Sequence, residues 1–349
     1  MLSQFASWPR WAAIGMLLGT FALITYGVTA PPFPMPTLVS GSDSTRSDLA
    51  LYGAVLNRVT AGEDYYQAAA SEQRARGYPL RPFVTVRPPV FTQLAVAAGG
   101  RRPMARLLDG LVVLATIAMV LRLLTTIRTR ALTVAASLCA LTFLTVRHVP
   151  IFWYETWCAA LVLLSLACWS ERTWAVSLLF GLLAALMREL AAPYLCVMLA
   201  IALYERRRNE AIGWCIALGV FAASLTLHAS RVHAISTLAD KASPGWLRAG
   251  GWPFILRIVH ESSAMIITPI WLVAMVVPLA LLGWAGWKHP IAHRATLYLC
   301  GFIAAFMVVG RQNTAYWGML LTSLLFVGLA FAPSALVTLA RRARAPAPV

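Results

Sequence analysis

The chain has 349 residues, is 60% hydrophobic and only 12% charged, and carries a formal net charge of +16. A water-soluble domain carries about twice that fraction of charge, so the composition excludes a soluble globular fold. The positive surplus is not read as a nucleic-acid footprint. Many basic residues stand in short loops between apolar runs, where positive charge sets membrane topology, and the rest fall in longer polar loops, where they meet headgroups or phosphate.

The apolar runs are about 16–25 residues long, enough to cross a ~30 Å hydrocarbon layer as helices. They show no strand alternation, which selects helices over a barrel. The expected fold is all-α: one polytopic transmembrane domain over 1–349 with about ten spans. The six cysteines (Cys139, Cys158, Cys168, Cys196, Cys215 and Cys300) all lie inside apolar runs and form no CxxC pair. They read as free thiols, not as a disulfide or metal framework.

In chain order, Trp11 to Ala30 is the first span. A cleavable signal peptide is the competing reading, and Pro31 directly after Ala30 disfavours cleavage. Prolines 31, 32, 34 and 36 stop this helix, since proline cannot continue the hydrogen-bond ladder. A long polar loop follows, over 31–103. Within it Ser47 or Asp48 caps a helix of about a dozen residues that ends near Gly62, and Asp64 to Arg76 forms a second one, stopped by Gly77. Val90 to Ala98 is apolar but too short to span.

Further spans are expected at 104–125, 131–147, 151–169, 174–188, 190–204, 211–228, 264–287, 295–310 and 315–338. Arg188-Glu189 and Pro193 interrupt 174–204, so two short helices should meet there. Pro269 and Pro278 predict a kink in 264–287. A second long polar loop covers 229–263. Basic residues concentrate in alternate connections: Arg122/Arg128/Arg130, Arg172, Arg206 to Arg208, Lys288/Arg294 and the tail at Arg341/Arg342/Arg344. The positive-inside rule places these, and both termini, in the cytoplasm. Both long loops then face outward, with Arg101, Arg102 and Arg106 against the rule. Asp43, Asp48, Glu63, Asp64, Arg87, Glu155, Arg188, Glu189 and Arg311 fall on that outer face. Ionisable groups at membrane depth are costly and tend to face an interior cavity, so a shared outward site is expected.

The string Ser47-Asp48-Leu49-Ala50-Leu51-Tyr52, followed by Ala61-Gly62-Glu63-Asp64 and Arg87-Pro88-Pro89, resembles the first outer loop of the GT-C superfamily. These are integral membrane glycosyltransferases that use polyprenyl-phosphate sugars, protein O-mannosyltransferases and lipid A aminoarabinose transferases among them. Their loop commonly reads Asp-Glu-x-x-Tyr, then Gly-Asp, then Lys-Pro-Pro. Here Leu49 replaces the second acid and Arg87 replaces the lysine. Glu155 at the start of a span, Gly181 to Glu189 and the Arg311–Tyr316 loop extend the resemblance more weakly.

The resemblance implies an inverting sugar transfer to a hydroxyl acceptor, lipid or glycan, at the periplasmic side of a bacterial inner membrane. A phosphate leaving group is already stable as an anion, so activation falls on the acceptor, which needs a base. Asp48 is the expected base, and Asp43 is the alternative. Arginine suits the departing phosphate because it offers a planar fork of donors. The expected substrate-binding residues are Tyr52, Asp64, Tyr65, Arg87, Glu155, Arg188, Glu189 and Arg311. No cofactor is expected, a divalent metal being left open, and the short chain leaves room for a partner protein. Two other classes share these features: a transporter or flippase of polyprenyl-linked saccharides, and a polymerase or ligase working from the 229–263 loop, which holds Arg231, His233, Lys241, Arg248 and Arg257.

Overall fold

A computed structural model describes residues 3–34, 48–125 and 151–345. The described residues are all-helical, without a strand. The expected span at 131–147 and the alternative base Asp43 lie outside them.

The helices form where local signals place them. α1 (Arg10–Thr29) starts after Pro9 and ends before the proline run. α2 (Asp48–Thr60) has Asp48 in its first turn and Arg58 in its last, which complements the helix dipole. α3 (Tyr65–Ala75) is capped by Asp64, whose carboxylate accepts from the backbone N–H groups of Tyr66 and Gln67. The short α4 (Val90–Ala97) ends at Gly99 and Gly100, both at positive φ, and α5 (Arg101–Leu124) follows. Arg101 opposes the charge rule for a packing reason: its guanidinium donates to the Gly53 carbonyl and Asn57 Oδ1, holding α2 against α5.

Next come α6 (Tyr154–Cys168), α7 (Trp174–Met187) and α8 (Ala192–Tyr204), then α9 (Arg208–Ile235), α10 (Gly251–Glu261), α11 (Ile270–Gly286) and α12 (Pro290–Val308). α6 is buried on every side and packs between α5 and α7. A helix that is apolar all round belongs in a core.

Length separates two kinds of apolar helix. α1, α5, α9 and α12 are long and apolar enough to cross a membrane. The first three leave most of their surface exposed. α6, α7, α8 and α11 have only 15, 14, 13 and 17 residues. At 1.5 Å per residue they rise about 20–26 Å, short of a full hydrocarbon layer. Among the described residues four helices qualify by length and composition, or five if one bent pair counts as a span, so about ten spans are not confirmed.

Two boundaries move. The span expected at 211–228 runs on to Ile235, because no proline or glycine breaks Ser230-Arg231-Val232-His233. The second long loop therefore starts later, and it contains α10. The run 315–338 is not one helix either. It divides into a tight turn at Ala315–Gly318, α13 (Met319–Leu325), a second tight turn at Phe326–Ala330 and α14 (Ala332–Arg344), with a bend of 57°. Pro333 in the first turn of α14 is tolerated there but cannot extend the helix backwards.

α14 is amphipathic and lies against α1 and α11. Arg342 donates to the Trp8 carbonyl (2.9 and 2.7 Å) and Arg10 to the Ala343 carbonyl (3.0 Å). The two described chain ends thus meet at one end of the bundle. The long loops gather at the other.

The bend is held by a glycine pair. A Cβ at Gly283 would overlap the Gly328 carbonyl, and one at Gly328 would overlap the Ala280 carbonyl, so α11 and the 326–330 turn touch backbone to backbone. Gly283→Ala and Gly328→Ala should each cost about 1–3 kcal/mol by overpacking. Gly301 has open space around it, so Gly301→Ala should gain slightly from helix propensity. Thermal unfolding in detergent checks this, and equal midpoints for all three variants would contradict the close approach.

Candidate active site

The two long polar loops are clasped together. The N–H of Leu80 donates to the Lys241 carbonyl (3.1 Å), and that of Ser243 to the Arg81 carbonyl (2.6 Å). Arg81 reaches the Asp240 and Leu238 carbonyls, and Lys241 Nζ donates to the Gly77 carbonyl at 2.9 Å. Arg74 grips Asp240 through both carboxylate oxygens (2.7 and 2.8 Å), while the Thr237 N–H donates to the same group. The Arg74 hydrogen bond, aided by Thr237, holds the Asp240 carboxyl far below the usual carboxylate range.

Beneath this clasp lies a cavity of about 490 Å³. Six of the expected residues line it: Asp48, Tyr52, Arg87, Arg188, Glu189 and Arg311. Asp48 and Tyr52 share a wall because they stand one helical turn apart on α2. Asp48 Oδ1 accepts a 2.7 Å hydrogen bond from the Tyr78 hydroxyl. Burial and this bond push the Tyr78 phenol well above its ordinary value, so it remains a donor. Asp48 Oδ2 has no hydrogen-bond partner among the described residues.

Arg87 is placed by three tyrosines. The Tyr65 hydroxyl donates to its carbonyl (2.6 Å), its Nε donates to the Tyr52 hydroxyl (3.0 Å), and its Nη2 points at the Tyr316 hydroxyl (3.3 Å). Tyr65 therefore acts through Arg87 rather than on the cavity wall. Arg311 stands over the Trp246 ring, 5.0 Å from its centroid, and donates to Ser243 Oγ and the Pro244 carbonyl. Its Nε is buried with no partner among the described residues. Burial, with Arg248 nearby, lowers the Arg311 pKa from the ordinary arginine value, yet guanidinium remains cationic at neutral pH. Neither Arg87 nor Arg311 has a carboxylate within 4.0 Å among the described residues.

Arg188 differs. It is 2% exposed and is neutralised on two sides, by Glu155 at 2.7 Å and by the adjacent Glu189. Neighbouring residues inside a helix do not face each other. These two pair because α7 ends at Met187 and Arg188 is extended, with φ −151° and ψ 119°. Glu155, 1% exposed, sits behind Arg188 and off the cavity wall. Asp64 is also off the wall, committed to capping α3.

Reading from sequence missed Tyr78, Ser243 and Trp246, which also line the cavity, and named Lys241 only for the second-loop reading. The second loop was recognisable as polar and basic, but nothing local showed that it closes on the first. Charge is not confined to this end. At the opposite end Arg294, fully buried, pairs with Glu205 (2.8 Å) and stacks 3.5 Å from the Trp169 ring, while Arg207 bridges Glu171, Glu205 and Glu210. No group of three or more His, Cys, Asp or Glu side chains is placed to hold a metal among the described residues. Comparison with protein families, with characterised proteins and with solved structures finds no match to this chain.

The clasp gives a pH prediction. Asp240 in an opened loop titrates near about 4, and in the closed one lower. Its contribution is complete at neutral pH, declines as pH drops below about 4, and is lost as pH passes through the closed-state value. Hydrogen exchange over 237–244 should be slow at pH 7 and should accelerate in Asp240→Asn. An unchanged exchange rate in that variant would show that the clasp does not rest on the ion pair.

Proposed function

We propose that this chain is a membrane glycosyltransferase that moves a sugar from a polyprenyl-phosphate donor to a hydroxyl acceptor, with inversion. The observation that carries the reading is one cavity holding a carboxylate, Asp48, with one oxygen unengaged among the described residues, together with two arginines, Arg87 and Arg311, that have no carboxylate within 4.0 Å among the described residues. A cavity of about 490 Å³ lies within the usual range for small-ligand sites.

The chemistry follows from those groups. Asp48 takes the proton of the acceptor hydroxyl as its oxygen attacks the anomeric carbon. The bond from that carbon to the phosphate oxygen breaks on the opposite face, and polyprenyl phosphate leaves with the electron pair. Arg87 and Arg311 stabilise the charge that grows on the phosphate. Tyr78 holds one oxygen of Asp48 and leaves the other for the acceptor. Glu155 and Glu189 keep Arg188 charged and fixed in the wall. In this reading the cavity faces the periplasm, the sugar-bearing lipid enters from the adjoining leaflet, and the end with the chain termini is cytoplasmic.

A polymerase or ligase of lipid-linked glycans is the second reading. Lys241, Ser243 and Trp246 favour it, since they bring the second loop into the same cavity.

The test uses purified protein, a panel of polyprenyl-phosphate monosaccharides, and simple alcohol or lipid acceptors. Asp48→Asn should lower turnover about 10²–10⁴-fold while polyprenyl phosphate still binds. Arg87→Gln should weaken that binding about 10–100-fold. Wild-type turnover by Asp48→Asn would refute the assigned base. Transfer of whole lipid-linked oligosaccharides, with no turnover of monosaccharide donors, would select the ligase reading.

A further inference from the structure

At the end of the bundle where the described chain ends meet, α8 passes into α9 through a tight turn. Arg206 N–H donates to the Leu203 carbonyl (3.0 Å) and Arg207 N–H to the Ala202 carbonyl (2.8 Å). This pair of bonds is a Schellman cap, and its signature is a left-handed residue after the helix, usually glycine. Here that residue is Arg206, with φ +56°. Every other residue at positive φ among the described ones is glycine. A residue with a Cβ is disfavoured in this region relative to glycine, so Arg206 carries a backbone cost that glycine would not.

Beside the turn runs a groove of about 560 Å³ between α8 and α9. Its floor and walls are apolar, with Leu203, Ala211, Ile212, Cys215 and Ile216, and its polar rim is Arg206, Arg207 and Arg208. Leu203, Ile212 and Ile216 are 60%, 49% and 62% exposed, so the groove opens on the outer surface of an apolar helix pair. Arg207 is occupied by Glu171, Glu205 and Glu210. Arg206 and Arg208 are exposed, and neither has a carboxylate within 4.0 Å among the described residues. α9 is long and apolar enough to span, and this is its first turn.

We propose that this groove is a binding site for one anionic phospholipid of the adjoining leaflet. Its phosphate lies between the guanidinium groups of Arg206 and Arg208, and one acyl chain lies along Leu203, Ile212 and Ile216. The charge complementarity selects the occupant. A zwitterionic lipid brings its own ammonium beside the phosphate and so has no net charge to offset two arginines, and a free phosphate leaves the apolar groove unfilled. Such a lipid would brace the α8–α9 corner, where buried Arg294 and Glu210 also sit. The inference is independent of the sugar-transfer reading, because none of these residues lines the cavity at the other end.

The experiment is native mass spectrometry and thermal unfolding of the whole detergent-purified chain, titrated with phosphatidylglycerol, phosphatidylcholine or inorganic phosphate. Wild type should retain one phosphatidylglycerol tightly, should be stabilised by it, and should respond to neither of the other two. Each arginine near a membrane surface contributes about a fivefold preference for anionic lipid, so Arg208→Gln should weaken retention by about that factor. Arg341→Gln, at an exposed arginine of the same end, should not. Arg206→Gly should do two opposite things. It should raise the unfolding midpoint without lipid by about 2 °C, by relieving the left-handed strain, and it should reduce the midpoint gain from phosphatidylglycerol. Equal losses for Arg341→Gln and Arg208→Gln would reduce the effect to general surface charge. A response to inorganic phosphate as large as to phosphatidylglycerol, or an Arg206→Gly protein that keeps the full lipid response, would overturn the site.

Discussion

A buried cation must be paired, and Arg188 is the buried cation on which the cavity end of this molecule depends. Its partners come from two directions, Glu155 at the start of α6 and Glu189 just after α7. Satisfying both ties the top of the central helix to the end of its neighbour. It also turns the chain sharply enough to put Glu189 on a cavity wall. The opposite end of α6 obeys the same constraint, since Trp169 just beyond it stacks on fully buried Arg294, which Glu205 neutralises. An apolar helix buried on all sides is thus held at each end by a compensated charge cluster.

From that frame the cavity is an assembly of loops on a rigid floor. α2 supplies Asp48 and Tyr52, the Pro-rich stretch supplies Tyr78 and Arg87, the second loop supplies Lys241 and Trp246, and the segment after α12 supplies Arg311 and Tyr316. The clasp through Asp240 and Arg74 makes the two loops one lid. The polar groups divide by their commitments. Arg188 and Glu189 satisfy each other, whereas Arg87 and Arg311 are held mainly by phenol, hydroxyl, carbonyl and indole partners, which do not cancel charge. With Glu189 engaged by Arg188, the surplus positive charge and the remaining carboxylate, Asp48, are what support the proposed reading of an anionic leaving group and an acceptor that must lose a proton.

Much of the local structure was legible from sequence for local reasons. Proline and glycine stop α1 and α3, Asp64 caps α3, and the four-residue spacing of Asp48 and Tyr52 puts them on one face. The Arg188-Glu189 interruption marked a real break between two short helices. Less legible was where α9 ends, because a polar continuation such as Ser230 to His233 lowers hydropathy without breaking a helix. Asp64, read as substrate-binding, caps α3 and does not line the cavity; a capping carboxylate and a ligand carboxylate are the same residue type in the same kind of position.

Composition and hydropathy by themselves determined that this chain is helical, apolar and suited to a membrane, because the apolar runs have helical length and no strand period. They also marked Asp48, Arg87 and Arg311 as outlying polar residues of one face. Tertiary structure alone decided which apolar helices face outward and which are interior, since a hydropathy run does not distinguish lipid from protein as its solvent. It decided the 57° bend, which depends on Gly328 meeting Gly283 from a distant helix. It also decided which charges are spent on each other and which are left for a ligand, because ion pairing joins residues 33 apart for Arg188 and Glu155 and 166 apart for Arg74 and Asp240. No local pattern encodes such distances.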